Sequence, residues 1–177
     1  MKKSLLLIAI MLMGTLSTVN AQKFAGLQKS PTDISYAKAD RGSKPEIKVV
    51  YSRPQKKGRK IFGGLEKYGK VWRTGADEAT EIKFFQDVKM GDKTIKAGTY
   101  SLFTIPGEKE WTIIINSDLD SWGAYSYEEG KDVARINVPV ASGEELEVFS
   151  IAFKKVDKGY HMVMGWDTTR VEVPFYM

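Results

Sequence analysis

The chain has 177 residues, 28% of them charged, a formal net charge of +5 and no cysteine. Disulfides, thiolate metal sites and cysteine-linked lipid anchors are therefore excluded. The single histidine, His161, excludes a two-histidine zinc site within one chain.

Lys2 and Lys3 precede an apolar run from Leu5 to Met13, and small and polar residues then lead to Val19-Asn20-Ala21. This is the pattern of a secretory signal peptide, with cleavage expected after Ala21. The nine-residue run is too short to cross a bilayer, which takes roughly 20 residues. The expected product, residues 22–177, is exported to the periplasm or released. It keeps no membrane-spanning segment and carries a net charge of +3 once Lys2 and Lys3 are gone. Its length fits one domain that buries its own core.

A short strand is expected near Ile34 and a clear one over Ile47–Tyr51. Next comes a long loop, Ser52 to Gly75, in which eight bases face one acid, Glu66. The loop alone contributes +7, leaving the rest of the mature chain slightly acidic, so a chain-wide nucleic-acid footprint is not expected. Ile61, Phe62, Leu65, Tyr68, Val71 and Trp72 give the loop too much apolar mass for a solvated linker. It reads as an ordered loop able to hold an anion.

Strands are then expected over Thr80–Phe85, a Val88–Ile95 hairpin turning at Gly91-Asp92, Gly98–Ile105, Trp111–Asn116, Arg135–Val140, Leu146–Val156, Tyr160–Trp166 and Arg170–Phe175. Glu128–Ala134 has room for a turn or two of helix. Period-two alternation in nine or ten short strands, with few helices, predicts an all-β antiparallel sandwich or jelly-roll. An outer-membrane barrel fits less well, because its strands need roughly 9–11 residues and its sequence carries two aromatic girdles.

Gly64 to Lys70 matches the start of a phosphate-binding P-loop, but Val71 replaces the required Ser or Thr and no helix start follows. His161 alternates away from Tyr160, Met162 and Met164, which suits a surface or structural role. Asp118-Leu119-Asp120 is too little for a calcium loop, so no metal and no cofactor is expected. Arg53, Arg59 and Arg73 can supply planar donor forks for a carboxylate, sulfate or phosphate. Trp72, Trp122 and Tyr125 can supply stacking faces. Arg73, before Gly75, is expected to turn inward and pair with Glu78 or with backbone carbonyls.

Tyr51-Ser52-Arg53-Pro54, Gly58-Arg59-Lys60-Ile61-Phe62-Gly63, Trp72-Arg73-Thr74-Gly75-Ala76 and Glu78-Ala79-Thr80 carry a resemblance. With AGTYSLFTIPGEKEWTIIIN and WGAYSY, they resemble a family of exported Gram-negative bacterial proteins known only as a domain of unknown function, DUF2911. The resemblance spans about Ile34 to Phe175. It implies a β-sandwich-like domain and no established activity, cofactor or catalytic residue. Members often carry Asn at the position of Asp77, which argues against that carboxylate as a catalytic group.

Three readings of function follow. The first is an exported binding module for a polar or anionic ligand such as an acidic glycan, held by Arg53, Arg59, Trp72, Arg73, Glu78, Trp122 and Tyr125. The second is a hydrolase or lyase using Glu78 as acid or base and Arg73 as charge stabiliser. The third is a structural module of the cell envelope that meets anionic polymers through its basic loop. Oligomeric state is not legible from the sequence.

Overall fold

The computed structural model describes residues 23–177; the export segment expected over residues 1–21 lies outside them. Nine strands follow in chain order: β1 (Thr32–Lys38), β2 (Pro45–Ser52), β3 (Thr80–Phe84), β4 (Val88–Met90), β5 (Lys93–Ile95), β6 (Gly98–Ile105), β7 (Glu110–Asn116), β8 (Asp132–Val156) and β9 (Gly159–Tyr176). They form one open antiparallel sheet in the order β1-β2-β3-β6-β7-β8-β9-β4-β5. The fold is all-β, as the alternation predicts. The two layers of the expected sandwich belong to this one sheet, which turns through its longest strands.

Where four short strands are expected, β8 and β9 run for 25 and 18 residues. The first part of β8 pairs with β7, from Asp132 to Pro139, and the remainder pairs with β9. The sequence breaks at Ser142-Gly143 and at Asp167 to Thr169 are register shifts inside continuous strands. Such bulges bend a strand and raise its twist without ending it. Here they carry β8 from one layer into the other. Glu129–Lys131 forms a single 3-10 turn, within the turn or two for which the sequence has room.

The period-two pattern fills one core. Ile47, Val49 and Tyr51 of β2 meet Phe149 and Ile151 of β8 and Met162, Met164 and Trp166 of β9 in a single buried cluster. Rings cross between layers: Tyr51 meets Phe149 at 5.7 Å and Phe84 meets Phe175 at 5.2 Å. Strand β7 departs from strict alternation, because Ile113, Ile114 and Ile115 are all buried. Its outer face is covered by the segment 117–131, where Tyr127 packs on Phe103 at 5.2 Å.

The basic loop is ordered, and its apolar residues close one end of the core. Phe62 lies 4.7 Å from Trp111, and Trp72 lies 5.0 Å from Phe149 and 6.0 Å from Trp166. Two backbone ladders pin it. Trp72 N–H donates to Thr104 O at 2.7 Å and Thr104 N–H returns the bond at 2.9 Å. Lys56 N–H donates to Glu147 O at 2.6 Å, and Phe149 N–H donates to Pro54 O at 3.0 Å. Residues 64–70 form turns with no helix after them, so the P-loop resemblance there is accidental.

Candidate functional site

A basic loop matters chemically only where its charge is left over. Arg53 has none to spare. It donates to Phe149 O at 3.1 Å, to Asp33 Oδ2 at 2.8 Å and to Ser150 Oγ at 2.8 Å, tying the end of β2 to β1 and β8. Lys56 is likewise spent on Glu145 at 2.6 Å and Asp167 at 2.8 Å, and these carboxylates hold its ammonium pKa above the usual lysine value. Among the described residues, Lys57, Arg59 and Arg73 have no carboxylate within salt-bridge distance.

Arg59, Arg73 and Lys57 line one cleft of about 510 Å³, together with Lys29, Gln55, Leu65, Glu66 and Asp77. Arg59 is exposed and folds back on its own turn, donating through Nε to Lys56 O at 2.9 Å and through Nη2 to Gln55 O at 2.5 Å. Its Nη1 has no protein partner among the described residues. Arg73 is half-buried, and its Nε is buried with no hydrogen-bond partner among the described residues. Unpaired buried donors are rare in native proteins because an unmade bond costs about 1–3 kcal/mol.

The backbone at Arg73 is fixed from both sides. Trp72 on one side is buried and bonded to Thr104, and Arg73 O accepts from Thr80 N–H at 3.1 Å. Alternation along this ladder puts Trp72 in the core and Arg73 at the cleft. On the other side Thr74 turns the chain at φ 57°, a genuine outlier for a β-branched residue. It is held by buried bonds: its Oγ1 meets Thr104 Oγ1 at 3.1 Å, and its carbonyl accepts from Thr80 Oγ1 at 2.7 Å. The bend expected of Gly75 is thus made by Thr74. Gly75 is required for a different reason, since a Cβ there would lie 3.0 Å from Ser52 O. Strained residues held this firmly cluster at functional sites.

Two expectations for Arg73 are corrected. It is half-buried rather than enclosed, and it does not meet Glu78. Glu78 is exposed and lines a neighbouring cleft of about 450 Å³ with Glu81, Asp120, Thr32, Ser52 and Ser101. Asp77 sits in a bend at φ 60° and lines the cationic cleft, whereas Glu78, the next residue, lines the acidic one. The same three chain segments, near residues 30, 53 and 77, line one cleft and then the other. The pair Glu78 and Arg73 is therefore not assembled as acid and charge stabiliser.

The aromatic candidates divide. Trp72 is 2% exposed, and its Nε1 donates to Gly75 O at 3.0 Å, so it has no free face for a ligand. Trp122 and Tyr125 are 61% and 88% exposed. Their segment meets the stretch that follows the basic loop: Gly123 N–H donates to Asp77 O at 3.0 Å and Ala79 N–H to Ser121 O at 2.9 Å. The segment is rigidly supported. Buried Asn116 donates to Glu128 O at 3.0 Å and to Asp132 Oδ1 at 2.8 Å, and accepts from Asp118 N–H at 2.8 Å. Tyr127 donates to Asp132 at 2.7 Å, and burial first, then Asp132, pushes its hydroxyl pKa up to about 12. His161 pairs with Glu172 and lines neither of these two clefts.

Glu66, the loop's lone acid, is a cleft residue that the sequence reading misses. It lies half-buried in the cationic cleft, where burial raises its carboxyl pKa while Arg73, and then Arg59, pull it back. Its being the one acid in a basic loop was the available signal.

The molecule is an all-β protein of one open antiparallel sheet, with a cationic cleft built by an ordered loop at one end. The family described as "Protein of unknown function (DUF2911)" matches residues 30–175, and the chain belongs to it. No curated protein and no solved structure matches it.

Proposed function

We propose that the protein works outside the cytoplasm as a binding module for a polar anionic ligand, foremost an acidic glycan. The anionic group sits in the cleft of Arg59 and Arg73. The observation that carries this reading is Arg73. Its guanidinium is held on a doubly anchored backbone beside strained Thr74, faces a cleft, and has no carboxylate within salt-bridge distance among the described residues. A guanidinium fork fixed in this way suits carboxylate, sulfate or phosphate. The adjoining cleft, with its hydroxyls and Glu78, offers acceptors for sugar hydroxyls, and Trp122 pairs along the backbone with Glu78 at its rim.

A hydrolase or lyase built on Glu78 and Arg73 draws no support from this arrangement, since the two groups line different clefts. An envelope module acting through diffuse charge draws some, from exposed Lys60, Lys67 and Lys70 outside the cleft.

The test is an array of uronic, sulfated and neutral glycans probed with the folded mature protein and with Arg73→Ala. Acidic glycans are expected to bind and neutral ones not. Arg73→Ala is expected to weaken binding about 10- to 100-fold, as loss of a charge-assisted bond worth about 1.5–3 kcal/mol requires. A folded wild-type protein that retains no acidic glycan overturns the reading.

A further inference from the structure

We propose that Glu66 sets the affinity of the cationic cleft by competing, from inside the protein, with the bound anion for Arg59 and Arg73. The inference rests on the anion-binding reading above and adds the residue that tunes it.

The geometry is specific. Glu66 is placed by a tight turn in which its N–H donates to Ile61 O at 3.0 Å and its carbonyl accepts from Gly63 N–H at 2.8 Å. The side chain is half-buried and lines the same cleft as both arginines. Neither guanidinium closes a salt bridge with it, so each remains available to an incoming group. The other charged groups lining the cleft are Lys29, Lys57 and Asp77. With Glu66 ionised, two carboxylates oppose four cations; with Glu66 protonated, one does.

Burial works against the ionised form, and only Arg73 and Arg59 favour it. An anion bound at the arginines cancels that favour and adds repulsion of its own. Binding must then favour protonated Glu66, and by linkage protonation must favour binding. The sign follows: affinity is highest below the Glu66 pKa and falls as pH rises through it. Burial raises that pKa above the ordinary glutamate value, so the change is displaced upward in pH from that of a free glutamate. A carboxylic acid held in the cleft would also donate a hydrogen bond to the anion, which a carboxylate cannot do.

Calorimetric titration with inorganic sulfate, which keeps one charge state across the range, tests this at constant ionic strength from about pH 8 down to about pH 5. Wild-type affinity is expected to rise several-fold on acidification. Glu66→Gln is expected to bind more tightly than the wild type at pH 8 and with a flatter profile; circular dichroism confirms its fold. Sulfate binding that is unchanged with pH in the wild type, or as weak in Glu66→Gln as in the wild type at pH 8, overturns the inference and leaves the anion site standing. Absence of sulfate binding at every pH overturns both.

Discussion

Trp72 shows how one side chain can be misread for its neighbour. Beside Arg73 in a basic loop it reads as a ligand platform, yet it packs among Phe62, Trp111, Phe149 and Trp166. The loop recruits it because the end of the sandwich needs an apolar plug, and the ladder with Thr104 then turns Arg73 toward the cleft. Trp72→Ala should therefore cost about 3–5 kcal/mol of stability, in line with large-to-small changes of buried aromatics. Chemical denaturation measures it, and a loss below about 1 kcal/mol would show that the plug is dispensable. Arg73 was legible as important but not in its role. A buried ion pair was the natural expectation for an arginine at a bend, whereas the strain sits on Thr74 and the guanidinium meets no carboxylate among the described residues. Nothing in a one-dimensional pattern says which of two adjacent residues takes a positive φ.

At the scale of elements, the strand faces were legible because both inner faces of the sheet are fully buried. Ile82 and Phe84, for example, are buried and stand out against Glu81 and Lys83. The joins were not legible. Gly143 and Gly165 look like strand ends, but the aliphatic stem of Arg170 packs where their side chains would be. Arg170 also donates to Thr169 O at 2.8 Å and Asp167 O at 3.1 Å, securing the bulge. Small residues at a bulge and small residues at a turn give the same sequence signal. The segment 117–131 poses the opposite case, an irregular stretch that is nonetheless well fixed. Its keystone is Asn116, fully buried and bonded three ways. Asn116→Ala strands those partners and should cost about 1–3 kcal/mol. Amide hydrogen exchange is the sharper measurement. Protection should fall across residues 117–131 while β2 and β3 are unchanged, and uniform loss across the chain would contradict a local role.

For the whole molecule the question is whether the basic loop acts as a diffuse field or as a shaped site. Composition records only that the positive charge is concentrated in one loop, and cannot say how much of it is neutralised. The fold answers part of this: Arg53 and Lys56 are consumed by carboxylates from distant strands, which no local pattern could show. What remains is of two kinds, the cleft group with half-buried Arg73 and the exposed Lys60, Lys67 and Lys70. Salt separates them. Exposed charges are screened beyond about 10 Å at 0.1 M salt, and half-buried ones much less. If the cleft dominates, binding of a sulfated glycan should survive a rise from about 0.05 M to about 0.5 M salt with a loss of about tenfold or less. Replacing Lys60, Lys67 and Lys70 with Gln should then slow association at low salt and leave the high-salt affinity nearly unchanged, because steering acts on the encounter and the cleft on residence. Surface plasmon resonance across the salt series resolves both rates. Affinity that vanishes by about 0.3 M salt in the wild type, or falls at high salt in the triple variant, would mean that the loop works through its field and that the cleft is incidental.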